Sequence, residues 1–150
     1  MRMRLVVLAV FAAVAVPAAA LGTGSAVVGL KATMNGSNEV PKGDPKATGR
    51  ADLKLNAKTG QVCWKFTLKG VKGPSAAHIH KGGKGTAGPV VVPFGTAFKL
   101  AGCTKASPAL VKAILAKPSS YYVNVHTAKY PAGSVRGQLA KTSVAGYGGY

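Results

Sequence analysis

Acidic side chains are scarce in this chain of 150 residues, which has 20 lysines and arginines but only Glu39, Asp44 and Asp52 as acids. General acid–base catalysis commonly uses paired carboxylates, and these three fall in turns or on the polar edge of a strand, where no pair stands out. The chain also lacks the Gly-x-Ser-x-Gly motif of serine hydrolases. An enzyme is therefore the less favoured class, and a copper-dependent redox enzyme is the one enzymatic hypothesis that remains.

Cysteine is equally scarce, with Cys63 and Cys103 as the two copies. An exported protein with an even number of cysteines usually pairs them in disulfides. A metal site made of cysteine and histidine is the alternative, but the Cys-x-x-Cys spacing that such sites often use is missing. The sequence thus favours a Cys63–Cys103 disulfide.

Long apolar runs are limited to residues 5–16, fewer than the roughly 20 apolar residues that a transmembrane helix needs. Basic residues precede this run, and the small residues of positions 17–20 follow it, which is the pattern of a secretory signal peptide. We expect cleavage after Ala20, with Ala26 as the alternative site. An uncleaved anchor is the competing interpretation. The pattern predicts a secreted or cell-envelope protein without a membrane span after cleavage.

The remaining chain is long enough for one domain with its own core. We place this domain at residues 27–141 and a flexible tail rich in glycine and tyrosine at residues 142–150.

The formal charge of +17 favours contact with polyanions. For an exported protein the plausible partners are anionic cell-envelope polymers, anionic lipid, extracellular nucleic acid or an extracellular protein. Generic solubility is the favoured explanation of the charge, because most of the lysines are spread singly along the chain. Specific nucleic-acid recognition is not expected, since no helix-turn-helix, aromatic RNA-binding motif or arginine-rich arm is present.

Alternating apolar and polar residues predict strands in most of the domain. Residues 48–56 and 62–68 alternate on either side of a glycine-containing turn and predict a hairpin, with Trp64 and Phe66 as core anchors. Further strand patterns occur at residues 26–34, 77–82, 89–94, 121–127 and 134–141. One helix is expected at residues 107–118, where Ser107 can cap its start and Pro118 can end it. The predicted fold is all-β, an antiparallel β-sandwich of immunoglobulin-like or superoxide-dismutase-like Greek-key type, with one short helix.

The three histidines of the chain fall in two of these strands. Successive side chains of a strand point to opposite faces, so His78 and His80 share one face, as do Asn124 and His126 on the later strand. If the two strands are neighbours, the imidazoles converge on the outer surface of the sheet. Three neutral imidazoles suit copper or zinc and leave a coordination position open. The alternative is that the histidines only hydrogen-bond loops that cross the sheet.

Polar residues near the histidines predict the surroundings of such a site. Asn124, Arg136 and Gln138 lie on the same polar face and are candidates to orient the ligands. Glu39, in the turn-rich loop of residues 35–45, could pair with a lysine or act as a ligand, and we favour the structural role. The glycine-rich residues 81–88 lack the Lys-Ser/Thr and following helix of a phosphate-binding loop.

Several spaced motifs together resemble the CHRD domain, named from chordin. The motifs are His78-Ile79-His80-x-Gly82, Gly88-Pro89-Val90-Val91, Tyr121-Tyr122-Val123-Asn124-Val125-His126-Thr127, Tyr130-Pro131-x-Gly133-x-x-Arg136-Gly137-Gln138-Leu139, Asn38-Glu39-Val40-Pro41, Gly49-Arg50-Ala51, Gly60-x-x-Cys63-Trp64 and Gly102-Cys103. The resemblance covers nearly the whole chain after the signal peptide. It implies an all-β domain outside the cytoplasm, with no settled activity for single-domain members.

A second and smaller resemblance is to the copper-zinc superoxide dismutases, through the His-x-His pattern of His78 and His80 and the later His126 and Arg136. The fourth copper ligand and the zinc-loop ligands of those enzymes have no counterpart here. The function that the sequence favours is therefore an exported binding module with a candidate metal site. A cationic envelope or matrix protein without metal is the alternative.

Overall fold

A computed structural model of the chain describes residues 27–142. The predicted signal peptide of residues 1–20, both of its expected cleavage sites and residues 143–150 of the predicted tail lie outside these described residues. No helix among them is long and apolar enough to cross a membrane.

Nine strands and one α-helix make up the described domain. The strands are β1 (Val27–Asn35), β2 (Thr48–Asn56), β3 (Gln61–Lys69), β4 (Pro74–Lys81), β5 (Val90–Pro93), β6 (Ala101–Lys105), β7 (Tyr121–Thr127), β8 (Val135–Gln138) and β9 (Ala140–Lys141), and the helix α1 is Pro108–Ala116. Two short 3₁₀ helices, Gly36–Asn38 and Pro118–Ser120, connect them. The predicted all-β class with one short helix is confirmed.

One antiparallel sheet contains all of these strands, in the order β5-β4-β7-β8-β1-β2-β3-β6, with β9 paired to β1. The two terminal strands of this path, β5 and β6, are joined by residues 94–100. The amide of Phe94 in this segment donates to Ala77 of β4 (3.1 Å), and its Leu100 carbonyl accepts from the Phe66 amide of β3 (2.7 Å). The sheet therefore curls into a nearly closed barrel, and the predicted two-sheet sandwich is not confirmed.

The inward face of this curled sheet forms the hydrophobic core. In the predicted hairpin of β2 and β3, Leu53 lies opposite Trp64 and Ala51 lies opposite Phe66, and all four side chains are buried. The Trp64 ring stacks on Phe94 with ring centroids 4.5 Å apart. Alternation thus places every second residue of the hairpin in the core, as the sequence pattern predicts.

Helix α1 packs its apolar stripe onto one region of the barrel. The Ser107 side chain accepts a hydrogen bond from the Leu110 amide (3.2 Å), which caps the helix start as predicted. Val111 and Ile114 are fully buried. The helix ends before Pro118, as expected from the missing amide of proline.

Strand β6 is an element that the sequence pattern does not predict. Its Cys103 lies opposite Cys63 of β3, and the two form a disulfide with Cα atoms 4.0 Å apart. The disulfide joins an edge strand to its neighbour, which fixes the register of β6.

Candidate metal centre

Strands β4 and β7 are neighbours, and this pairing brings the two histidine segments together. His78 lies opposite Asn124, and His126 lies opposite Ala76, two residues further along the same face. Ile79 and Val125, from the intervening positions, are fully buried in the core. The alternation of each strand therefore directs its histidines away from the core and its branched apolar residues into it.

The three imidazoles form one compact group. His78 Nδ1 lies 3.1 Å from His126 Nε2, and one ligand atom from each of His78, His80 and His126 lies within 4.8 Å of the others. Zinc–nitrogen bonds are about 2.0–2.1 Å long, so atoms at these separations are close enough for a single ion to contact them after small side-chain adjustments.

Two of the imidazoles have their tautomer fixed by backbone carbonyls. His80 Nδ1 lies 2.8 Å from the Gly88 carbonyl oxygen, and His126 Nδ1 lies 2.9 Å from the Pro131 carbonyl oxygen. A carbonyl can only accept, so both Nδ1 atoms donate. The Nε2 atom of His80 then carries the lone pair that a metal ion would use. His126 Nε2 also contacts His78 Nδ1 (3.1 Å) and the Asn124 side-chain oxygen (3.0 Å), and a bound ion would replace these contacts.

The glycine-rich segment of residues 82–88 covers part of this group. His80 is only 8% exposed, so the expectation that all three histidines lie on an open outer surface is wrong for this residue. Its ring is stacked against Tyr122, with centroids 4.8 Å apart, and the Tyr122 hydroxyl accepts from the Gly88 amide (3.1 Å). A side chain at Gly88 would collide with the Lys81 backbone, so glycine permits this close approach.

A family model for the CHRD domain matches residues 30–139. The chain belongs to the CHRD family. The match spans most of the chain and includes all three histidines, so the resemblance drawn from the sequence motifs is confirmed. No curated protein and no solved structure is significantly similar to this CHRD chain.

The three predicted orienting residues of this CHRD domain act in two different ways. The Asn124 side-chain oxygen lies 3.0 Å from His126 Nε2, in direct contact with the cluster. Arg136 donates through Nη2 to the carbonyls of Gly83 (2.9 Å) and Thr86 (2.8 Å). Arg136 therefore positions the covering segment, which in turn supplies the carbonyl that fixes His80.

Gln138 also holds this covering segment in place. Its Nε2 donates to the carbonyls of Gly82 (3.0 Å), Ser119 (2.8 Å) and Tyr121 (3.2 Å). In addition, the Arg136 guanidinium lies 3.5 Å from the centre of the Tyr122 ring, a cation–π contact. Arg136 and Gln138 thus connect residues 82–88 to β7 and β8.

Glu39 is buried next to Arg136, a position that its loop sequence did not predict. The side chain is 4% exposed. The charged group that attracts its carboxylate is Arg136 and not a lysine. Burial raises the pKa of the Glu39 carboxyl to about 7, while attraction to Arg136 and hydrogen bonding with Val40 and Asn124 lower it. Burial of a lone acid depends on contacts distant in sequence, so no local pattern could have identified it.

Burial also keeps His78 and His80 uncharged. It lowers the pKa of His78 to about 4, with further lowering by the neighbouring His126 and His80. Burial likewise lowers the pKa of His80, although hydrogen bonding to Gly88 opposes this effect. Both imidazoles are therefore neutral at pH 7, the form that binds metal ions.

Proposed function

We propose that this CHRD domain binds a divalent transition metal, copper or zinc, through His78, His80 and His126. The observation that carries the proposal is the buried Nε2 of His80, which makes no hydrogen bond of normal geometry among residues 27–142, although the ring also interacts with the Asn124 side chain. Leaving a buried polar atom unpaired costs about 1–3 kcal/mol. A metal ion at the cluster would compensate this cost.

The chemistry of the surrounding groups supports the same function. Metal-binding histidines usually donate their second ring nitrogen to a carbonyl or carboxylate, as His80 and His126 do here. Three imidazoles without a protein-supplied fourth ligand leave room for water or a further ligand. Nitrogen ligands of this type favour copper and zinc over calcium or magnesium.

Calorimetric titration of the purified metal-free chain with Cu(II) and with Zn(II) tests the proposal. We expect one ion per chain, and we expect His80→Ala to weaken its binding at least about 100-fold, since it removes one of three ligands. Thr67→Ala, a substitution at an exposed strand position, is the matched control and should bind as the parent does. Weak and equal uptake by the parent and His80→Ala would refute the proposal.

We also propose that the domain acts outside the cytoplasm. The signal-peptide pattern of residues 1–20 and the Cys63–Cys103 disulfide both support export, because such disulfides persist mainly in oxidising compartments. Mass analysis of the protein recovered from the culture medium should give a chain that starts after Ala20 or Ala26. Recovery of the full-length chain from the cytoplasm alone would contradict export.

A further inference from the structure

A second surface of the domain is distinguished by its charge. The residues of β1, β2, β3 and β6 that point away from the core form one outer face of the sheet, here called the cationic face. Its charged residues are Lys31, Arg50, Asp52, Lys54, Lys65, Lys69 and Lys105. Asp52, its one acid, forms an ion pair with Arg50 (2.6 Å). The face thus carries a large excess of positive charge.

The sheet spaces these charges regularly. Lys31 of β1 and Lys65 of β3 both lie opposite Asp52 of β2, so they are about 10 Å apart at the usual separation of neighbouring strands. Lys65 and Lys69 lie on the same side of β3, about 13 Å apart along the strand. A linear chain lying across the face would meet a lysine at each of these intervals.

A cleft of about 300 Å³ lies where this face meets the covering segment of residues 82–88. Its lining includes Lys31, Lys84 and Arg136, and no acid. Arg136 is already hydrogen-bonded to the covering segment. Lys31 and Lys84 are both exposed, and neither side chain has a hydrogen bond or ion pair within the described part of the chain. Two ammonium groups are therefore available to an anion in the cleft.

We propose that the cationic face binds a linear, non-aromatic polyanion, and that the cleft receives one of its anionic groups. Charge complementarity supports this occupant. Single-stranded nucleic acid is the poorer match, because its binding sites stack bases on aromatic side chains and the exposed positions of this face carry none. Duplex DNA readers insert a helix or ribbon into a groove, whereas this face consists of strands within one sheet. This binding is independent of the proposed metal site.

Binding to heparin and to polygalacturonate, measured over a range of salt concentrations, tests the proposal. The variant Lys31→Gln/Lys65→Gln/Lys69→Gln removes three charges from the face. The control Lys72→Gln/Lys112→Gln/Lys117→Gln removes three charges from the β3–β4 connection and from α1 and its end. Both variants have the same net charge, and all six lysines are exposed, so both should fold.

We expect the face variant to lose about tenfold in affinity and to show a weaker salt dependence, while the control changes by less than about twofold. Adding a chelator should leave the affinity for both polymers unchanged, which separates this proposal from metal binding. Equal losses in the two lysine variants would overturn the assignment of the face. Duplex DNA bound as tightly as heparin at the same salt concentration would overturn the assigned ligand class.

Discussion

Replacing Glu39 by Gln should stabilise the domain relative to the parent, by an amount that grows with pH. The Glu39 side chain is 4% exposed, and its pKa is raised from 4.5 to about 7 because burial outweighs the attraction of Arg136. Gln keeps the size of the side chain and, like the protonated acid, offers both an acceptor and a donor, but it cannot ionise. The variant therefore removes the cost of a buried carboxylate and little else.

The sign and size of this effect follow from proton binding. Between pH 4.5 and 7 the native state holds the Glu39 proton that the unfolded state has released, so the free energy of unfolding of the parent falls as pH rises through this window. The rise in the pKa of Glu39 to about 7 corresponds to at most about 3 kcal/mol. His78 acts in the opposite direction, because its pKa is lowered from 6.5 to about 4 and its contribution is lost as pH falls. Comparing the parent with Glu39→Gln cancels the His78 effect.

Denaturant unfolding followed by Trp64 fluorescence, with a chelator present, measures this difference from pH 4.5 to 8. We expect the advantage of Glu39→Gln to rise by about 1–3 kcal/mol over this range and then level off. Asp52→Asn is the control, since it removes the same charge from an exposed ion pair worth about 0.2–1 kcal/mol. A difference between Glu39→Gln and the parent that is the same at pH 5 and pH 8 would refute the reasoning.

Two further predictions concern stability. Cys63→Ala/Cys103→Ala should lower the free energy of unfolding by about 2–4 kcal/mol, because the disulfide closes a loop of 40 residues; an unchanged denaturation midpoint in reducing and non-reducing buffer would contradict this. Gly133→Ala should cost at least about 2 kcal/mol in thermal unfolding, since Gly133 has φ +142° and an added Cβ would collide with the Glu39 carboxylate. Gly73→Ala, at φ +57° with no atom within 4 Å, is the control, and equal losses at both glycines would rule out the collision as the cause.

The strands that can be predicted from sequence are those whose residues alternate along a half-buried sheet. Strands β2 and β3 satisfy this condition. Strand β7 spans residues Tyr121–Thr127 as predicted, although all of its residues except His126 are buried. Strand β6, Ala101–Lys105, does not satisfy the condition, because its alanine, glycine and cysteine give little apolar contrast. Its position depends on backbone pairing with β3 and on the disulfide, and neither leaves a periodic signal.

The candidate metal site could likewise be predicted from the sequence only in part. Alternation is sufficient to place His78 and His80 on one face of β4, because strand geometry fixes side-chain direction. The pairing of β4 with β7 is what brings His126 beside them. Alternation is not sufficient to show that Arg136 holds the covering segment or that Glu39 is buried beside it, since both contacts join parts of the chain that are far apart in sequence. The candidate ligands and the orienting residues Asn124, Arg136 and Gln138 could therefore be named from the sequence, whereas the contacts of Arg136 with the covering segment and the burial of Glu39 could not.

The segment of residues 94–100 also occupies backbone groups of β4 and β3 at which a second copy of the chain could otherwise pair. Unpaired backbone groups at a sheet edge are templates for pairing with another molecule and can lead to aggregation. Here Phe94 and Leu100 use such groups on β4 and β3, and the Cys63–Cys103 bond keeps β6 attached to its neighbour. Together they pair, within one chain, the parts of β4 and β3 that extend beyond β5 and β6, so these parts are not available as templates for a second copy of the chain.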